Sequence, residues 1–162
     1  MPNVYAILGE SNTGKSSTVR ALTGAGQLQE AWRVATTLPP SNIEVYVQIR
    51  SLQEEKGIQP MALTDRITEL NKWRAAHPNN YAPVTNLLIP LRISAFNNCP
   101  DGAAYLKHFA SVGWNIMPIV VLGAAVLPAG LPVRVPTLSI PGSASMPANG
   151  IASQIRPLWN WL

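Results

Sequence analysis

The run Gly9-Glu10-Ser11-Asn12-Thr13-Gly14-Lys15-Ser16, followed by Ser17, holds residue types at a spacing suited to gripping a polyphosphate anion. Gly9 and Gly14 permit backbone angles that other residues resist. A loop of that shape turns the amide N–H groups of Ser11 to Lys15 toward one point. A helix opening near Gly14 adds the positive end of its dipole. Lys15 carries a mobile positive charge to the outer phosphates. The Ser16 hydroxyl suits Mg²⁺, a hard cation that prefers oxygen. Glu10 is the odd member, because a carboxylate beside phosphates is repelled unless it points outward or pairs with a base. It reads either as a group that orients an attacking water or as one that only faces solvent.

Few other residues match this chemistry. Arg50 and Arg92 fall near expected strand ends on the ligand side, where a guanidinium neutralises charge developing in phosphoryl transfer; each also reads as an ordinary ion pair. Arg134 lies in a Pro-rich stretch that suits a lid. An acid that holds the water shell of a magnesium ion is expected at the end of a neighbouring strand, and no expected strand ends in Asp or Glu. Glu54 and Glu55 lie nearest, just past the second strand, and read first as a solvated loop pair and second as that missing acid. His77, past a helix end, and His108, beside Lys107, lack the spacing of metal ligands. Cys99 is the single cysteine, with neither a disulfide nor a zinc partner, which suits a reducing cytoplasm.

These residues need elements to place them. Val4–Leu8 is an apolar run ending at a glycine, the pattern of a strand buried on both faces. A helix is expected from Gly14 to about Ala25, a minor strand over Trp32–Thr37, a turn at Pro39–Asn42, and a strand over Ile43–Leu52 with Val45, Val47 and Ile49 in alternation. Thr64 is the expected N-cap of a helix running to Ala76, with Leu63, Ile67, Leu70 and Trp73 as its apolar stripe. A third strand is expected over Asn86–Ile93, made irregular by Pro90. Asp101 caps a helix to Val112. Strands follow at Ile119–Gly123 and Val133–Ile140, then a loop over 141–149. The last helix carries Ile151, Ile155 and Leu158 and is expected to kink or break at Pro157. This alternation predicts one domain over residues 1–162: an α/β three-layer sandwich on a mainly parallel sheet of about five strands. Ligands of such sheets bind beyond the carboxyl ends of the strands.

Composition narrows the partners. The 162 residues suffice for one core, and the formal charge of +4 comes from Lys and Arg spread along the chain. A nucleic-acid surface normally clusters them, so nucleic acid is possible but not indicated. The charged fraction of 12% is about half the usual value, a weak hint of a protein partner or a homodimer. Residues 109–133 carry no charge, but their glycines and prolines fit a buried strand and a loop better than a membrane span. The tail Trp159-Asn160-Trp161-Leu162 reads first as buried against the sheet and second as an interface.

The Gly9–Ser17 motif, with a strand before it and a helix after it, resembles that of the P-loop NTPases. The resemblance implies a nucleotide across the strand ends with its phosphates at Gly9–Ser17. The guanine-reading N-K-x-D pattern fails at Asn71-Lys72-Trp73-Arg74, which leaves ATP with Mg²⁺ as the expected ligand. Leu88–Asn97, with its proline and serine, is similar to a segment of the partition and cell-division-site ATPases, although Asn97 stands where that group has an acid and Glu10 where it has a signature lysine. Ser139-Ile140-Pro141 is similar to that group's adenine-contacting segment, which implies that Pro141 packs on the base. The expected activity is a slow or partner-activated ATPase switch. A small-molecule kinase and a non-hydrolysing, nucleotide-dependent interaction module are the alternatives.

Overall fold

The computed structural model describes residues 1–27 and 29–162; of Glu30 only the backbone is described. Seven strands form one sheet: β1 (Asn3–Gly9), β2 (Gln29–Ala35), β3 (Asn42–Gln48), β4 (Asn86–Leu91), β5 (Asn115–Ile116), β6 (Ile119–Leu122) and β7 (Thr137–Ile140). Their order is β2-β3-β4-β1-β6-β7, and β5 pairs with the start of β1. Every pairing is parallel except that of β2 with β3. The helices are α1 (Lys15–Thr23), α2 (Pro60–Ala75), α3 (Gly102–Ser111) and α4 (Ala148–Trp159).

Alternation along the strands sorts the core into two halves. Tyr5 and Ile7 of β1 face Val19 and Leu22 of α1 and Ile151 and Ile155 of α4. Val4, Ala6 and Leu8 face the opposite way, toward Leu63 and Ile67 of α2 and Tyr105, Leu106 and Phe109 of α3. Helices therefore cover both faces, which is why β1 and β4 are apolar after their first asparagine and β6 throughout. Each fully buried aliphatic side chain here contributes about 1.5–3 kcal/mol of transfer free energy. The three layers are as expected; the sheet is larger than the five strands expected.

The differences have local causes. The minor strand expected at Trp32–Thr37 is a full edge strand, β2, that starts at Gln29 and pairs with β3 from Gln29↔Gln48 to Ala35↔Asn42. Its partner supplies the order that its own sequence does not show. Pro60 stands at the first position of α2, where a fixed φ and a missing N–H cost nothing, so the helix begins four residues before Thr64. Thr64 instead turns its hydroxyl back to the Met61 carbonyl. Pro157 does not break α4, which runs on to Trp159; the carbonyl it leaves unpaired belongs to exposed Ser153. Only Thr137–Ile140 of the last expected strand is paired. Pro90 sits in a central strand because the ladder to β3 ends at Leu88, leaving one flank of β4 free there.

Trp159 and Trp161 are buried against Tyr5, and Leu162 donates to the Ala35 carbonyl, so the tail packs on the sheet as first read. Among the described residues no helix is long and apolar enough to cross a membrane. The chain leaves β1 for the far edge at β2, returns inward through β3 and β4, then crosses β1 to β6 and β7. The winding reverses at β1, and the Gly9–Ser17 loop leaves the carboxyl end of that strand, where open α/β sheets bind ligands.

Candidate functional site

Left-handed residues shape the loop: Asn12 has φ 62° and Gly14 has φ 92°, with Thr13, whose φ is not positive, between them. Such alternation curls the main chain so that neighbouring amides face inward. Gly14 caps α1 without any side-chain hydrogen bond, and no acid lies in the first turn. Among the described residues, none accepts the amide hydrogens of Asn12 to Ser17. These groups line a cleft of about 340 Å³ formed by Ser11, Asn12, Gly14, Lys15, Ser16, Ser17 and Glu54. Gly9 serves differently from Gly14. Its φ is not left-handed, but a Cβ there would stand 2.3 Å from Thr13 Oγ1. Thr13 is turned inward under the loop, and its hydroxyl donates to the Glu10 carbonyl at 2.8 Å. Its side chain is therefore structural, and Thr13 is not among the residues that line the cleft.

Lys15 is buried, and its Nζ donates to the Glu10 carbonyl at 2.7 Å. Burial pushes its ammonium below the usual lysine range; Glu54 and Glu10 oppose that and Arg92 adds to it. The Ser16 hydroxyl has no hydrogen-bond partner among the described residues and lines the same cleft as the Glu54 carboxylate. An oxygen pair of this kind fits Mg²⁺, which takes one or two protein ligands and keeps several waters. No group of three or more Asp, Glu, His or Cys residues among the described residues gathers as a metal-binding cluster.

Glu10 neither faces solvent alone nor points at the cleft. Ser94 donates to it through its amide (2.6 Å) and its hydroxyl (2.9 Å), and Arg92 through Nη2 (2.8 Å). Burial alone would raise its carboxyl, but the Ser94 hydroxyl and amide and the Arg92 guanidinium outweigh it and hold the pKa below the usual glutamate value. Arg92 also donates from Nη1 to Ser11 Oγ at 3.2 Å, lies 3.7 Å from Glu54, and covers the Phe96 ring at 4.2 Å. Of the two arginines at strand ends, Arg92 is thus in the site. Arg50 is largely exposed and pairs at 4.0 Å with Glu55. Arg134 is exposed in the loop before β7.

Glu54 corrects the reading of 54–55 as a solvated pair. It accepts from Ser11 Oγ at 3.4 Å and stands at the wall of the cleft. Fully buried Gln53 puts it there. The Gln53 amide bonds both the N–H and the C=O of Arg92, continuing the ladder of β4 past the end of β3. The 51–57 turn is thereby drawn over the loop. Asn97 helps by donating to the Gln53 carbonyl at 2.9 Å, and takes no place in the cleft. A glutamine four residues past Ile49, the last of the alternating apolar residues, was the signal available in the sequence.

The loop after β7 also reaches the site. Buried Ser143 donates to the Thr13 carbonyl at 2.8 Å, so this segment is tied to the phosphate loop. Pro141 itself is exposed. His77 bonds the Trp73 carbonyl and His108 meets Thr64, both structural as first read.

Fold and site together define an α/β protein with a mostly parallel open sheet and an amide-lined loop at its switch point. Compared with known protein families, curated proteins and solved structures, the chain matches none. The site's own chemistry therefore carries the functional assignment.

Proposed function

We propose that this chain is a P-loop protein that binds a nucleoside triphosphate, ATP with Mg²⁺, and acts as a slow or partner-activated molecular switch. One observation carries the reading: Asn12 and Gly14 to Ser17, whose amides have no protein acceptor among the described residues, line one cleft at the opening of a helix. The backbone of Ser11 to Lys15 would cradle the phosphates. Lys15 would exchange the Glu10 carbonyl for the β- and γ-phosphates. Ser16 and Glu54 would hold Mg²⁺, which supplies charge neutralisation on the phosphates. The segment tied on through Ser143 supports an adenine-side wall near Pro141.

Slow turnover follows from the carboxylates. Glu10 is turned onto Ser94 and Arg92 and is not among the residues that line the cleft, so it is poorly placed to orient a water there. A protein partner or a second copy of the chain would supply what the isolated site lacks. The test compares thermal stabilisation by Mg–ATP, Mg–GTP and ADP in the parent and in Lys15→Ala. The parent should be stabilised most by Mg–ATP, and the variant hardly at all. Equal stabilisation of both proteins by ATP would remove Lys15 from the site.

A small-molecule kinase is the second reading, favoured by a neighbouring cleft. About 550 Å³ in volume, it is lined by Gln27, Gln29, Glu55, Lys56, Ile58 and Arg66 and shares the 51–57 turn with the phosphate cleft. Glu54 would then be the base toward an acceptor hydroxyl. Acceptor-dependent ADP release would support this reading over the switch.

A further inference from the structure

The pairing of Glu10 with Arg92 joins a carboxylate inside the phosphate loop to a guanidinium just behind the cleft wall. Arg92 is bonded to Ser11 and close to Glu54, two residues that line the cleft. Its side chain is 15% exposed, and its Nε is buried without a partner. Lys15 marks the end of the loop that would hold the outer phosphates, since its ammonium reaches back to the Glu10 carbonyl. Arg92 holds the side chains of Glu10 and Ser11, and Lys15 holds the main-chain carbonyl of the same Glu10, so both cations are anchored at one end of the loop. The four charged groups there, Lys15, Arg92, Glu10 and Glu54, sum to zero.

A carboxylate oxygen and a phosphate oxygen are alike as charged acceptors for a guanidinium, whose two arms here reach Glu10 and Ser11 separately. We propose that Glu10 is an internal stand-in for the terminal phosphate, holding Arg92 beside the cleft until a triphosphate takes the guanidinium over. Arg92 is then the residue by which the chain separates a nucleoside triphosphate from the diphosphate, and Glu10 is its positioning residue. This rests on the nucleotide-binding reading above. A diphosphate held by the loop amides leaves Arg92 on Glu10; a triphosphate competes for it. The exchange also takes the guanidinium off the exposed Phe96 ring that it covers, and so loosens the segment 94–98.

The experiment measures Mg–ATP and Mg–ADP affinities by titration calorimetry for the parent, Arg92→Ala, Arg92→Lys and Glu10→Gln, with circular dichroism as a check on folding. The ATP-to-ADP affinity ratio should fall about tenfold in Arg92→Ala, in keeping with loss of one charge-assisted contact. Arg92→Lys keeps the charge without the fork and should lose most of the ratio too. Glu10→Gln, which frees Arg92 and keeps the shape, should raise the ratio several-fold. Amide exchange at 94–98 should be faster with Mg–ATP than with Mg–ADP in the parent. A ratio unchanged in Arg92→Lys and Glu10→Gln overturns the inference and leaves nucleotide binding standing. Absence of any nucleotide binding by the parent overturns both.

Discussion

The Lys15 ammonium donates to the main-chain carbonyl of Glu10 at 2.7 Å, so the lysine closes its own loop from below. The contact is a holding position for a buried charge. The cost of burial outweighs the attraction of Glu54 and Glu10 for this charge and holds its pKa below the ordinary lysine value.

That cost gives a pH dependence. The folded pKa of Lys15 lies below its ordinary value of 10.5, so its charged form is penalised on folding. The penalty is fully present below the folded pKa and disappears as pH rises from there to 10.5. Chemical denaturation of the parent and of Lys15→Met should therefore show the parent losing ground at neutral pH and regaining it in alkali. The difference between the two proteins isolates Lys15 from the titrating tyrosines. Mg–ATP affinity should fall over the same alkaline window, because the phosphates need the charged lysine.

Glu10 has the opposite sign. Its carboxyl is held below the usual value of 4.5, so its ionised form stabilises the folded chain. That contribution is present above pH 4.5 and is lost as pH falls through the lower, folded value. Glu10→Gln should be less stable than the parent at pH 7 and should lose less stability on acidification. A parallel acid profile for the two proteins would mean that the Arg92–Ser94 clamp contributes little.

Ser143 ties the segment after β7 to the phosphate loop through one buried hydrogen bond. Ser143→Ala leaves the Thr13 carbonyl without that donor and should cost about 1–2 kcal/mol, a drop in Tm of about 2–6 °C. Nucleotide affinity should fall as well, because the loop loses a support. Thermal melting with and without Mg–ATP reads both effects. A loss of stability with full affinity would separate the tie from the site.

Gly123 packs directly on the loop. Its φ is 71°, and a Cβ there would come within 2.6 Å of Thr13 Cγ2. Gly123→Ala should cost about 2–4 kcal/mol through left-handed strain and the clash together. Thr13→Ser removes only the clashing methyl and keeps the hydroxyl that bonds Glu10. In the Gly123→Ala background it should recover about 1–2 kcal/mol, a non-additivity that a double-mutant cycle detects.

How much of this could be read from the residues alone depended on range. The strand, loop and helix at Val4–Ala25 are written locally, as an apolar run, glycines at fixed spacing and an amphipathic stretch, and the structure has them in that order. The edge strand β2 was read short because its seven residues take their order from β3 across the hairpin. Glu54 is only a second reading as a site residue, and Ser143 is not read as one at all, for the same reason. Glu54 reaches the cleft only because Gln53 bonds the end of β4, 39 positions away. Ser143 meets Thr13 across 130 positions. Arg92 was singled out from its place at a strand end, but its partner Glu10 was not evident, since no local pattern pairs residues 82 apart.

The central claim is that the loop amides and Lys15 grip phosphates, and crystals of the chain soaked with Mg²⁺ and a non-hydrolysable ATP analogue test it most directly. The account predicts phosphate oxygens within hydrogen-bond distance of the amides of Asn12 to Ser17, with Lys15 Nζ moved from the Glu10 carbonyl onto them. A loop still closed by Lys15 on Glu10, with the analogue bound elsewhere or not at all, would contradict it.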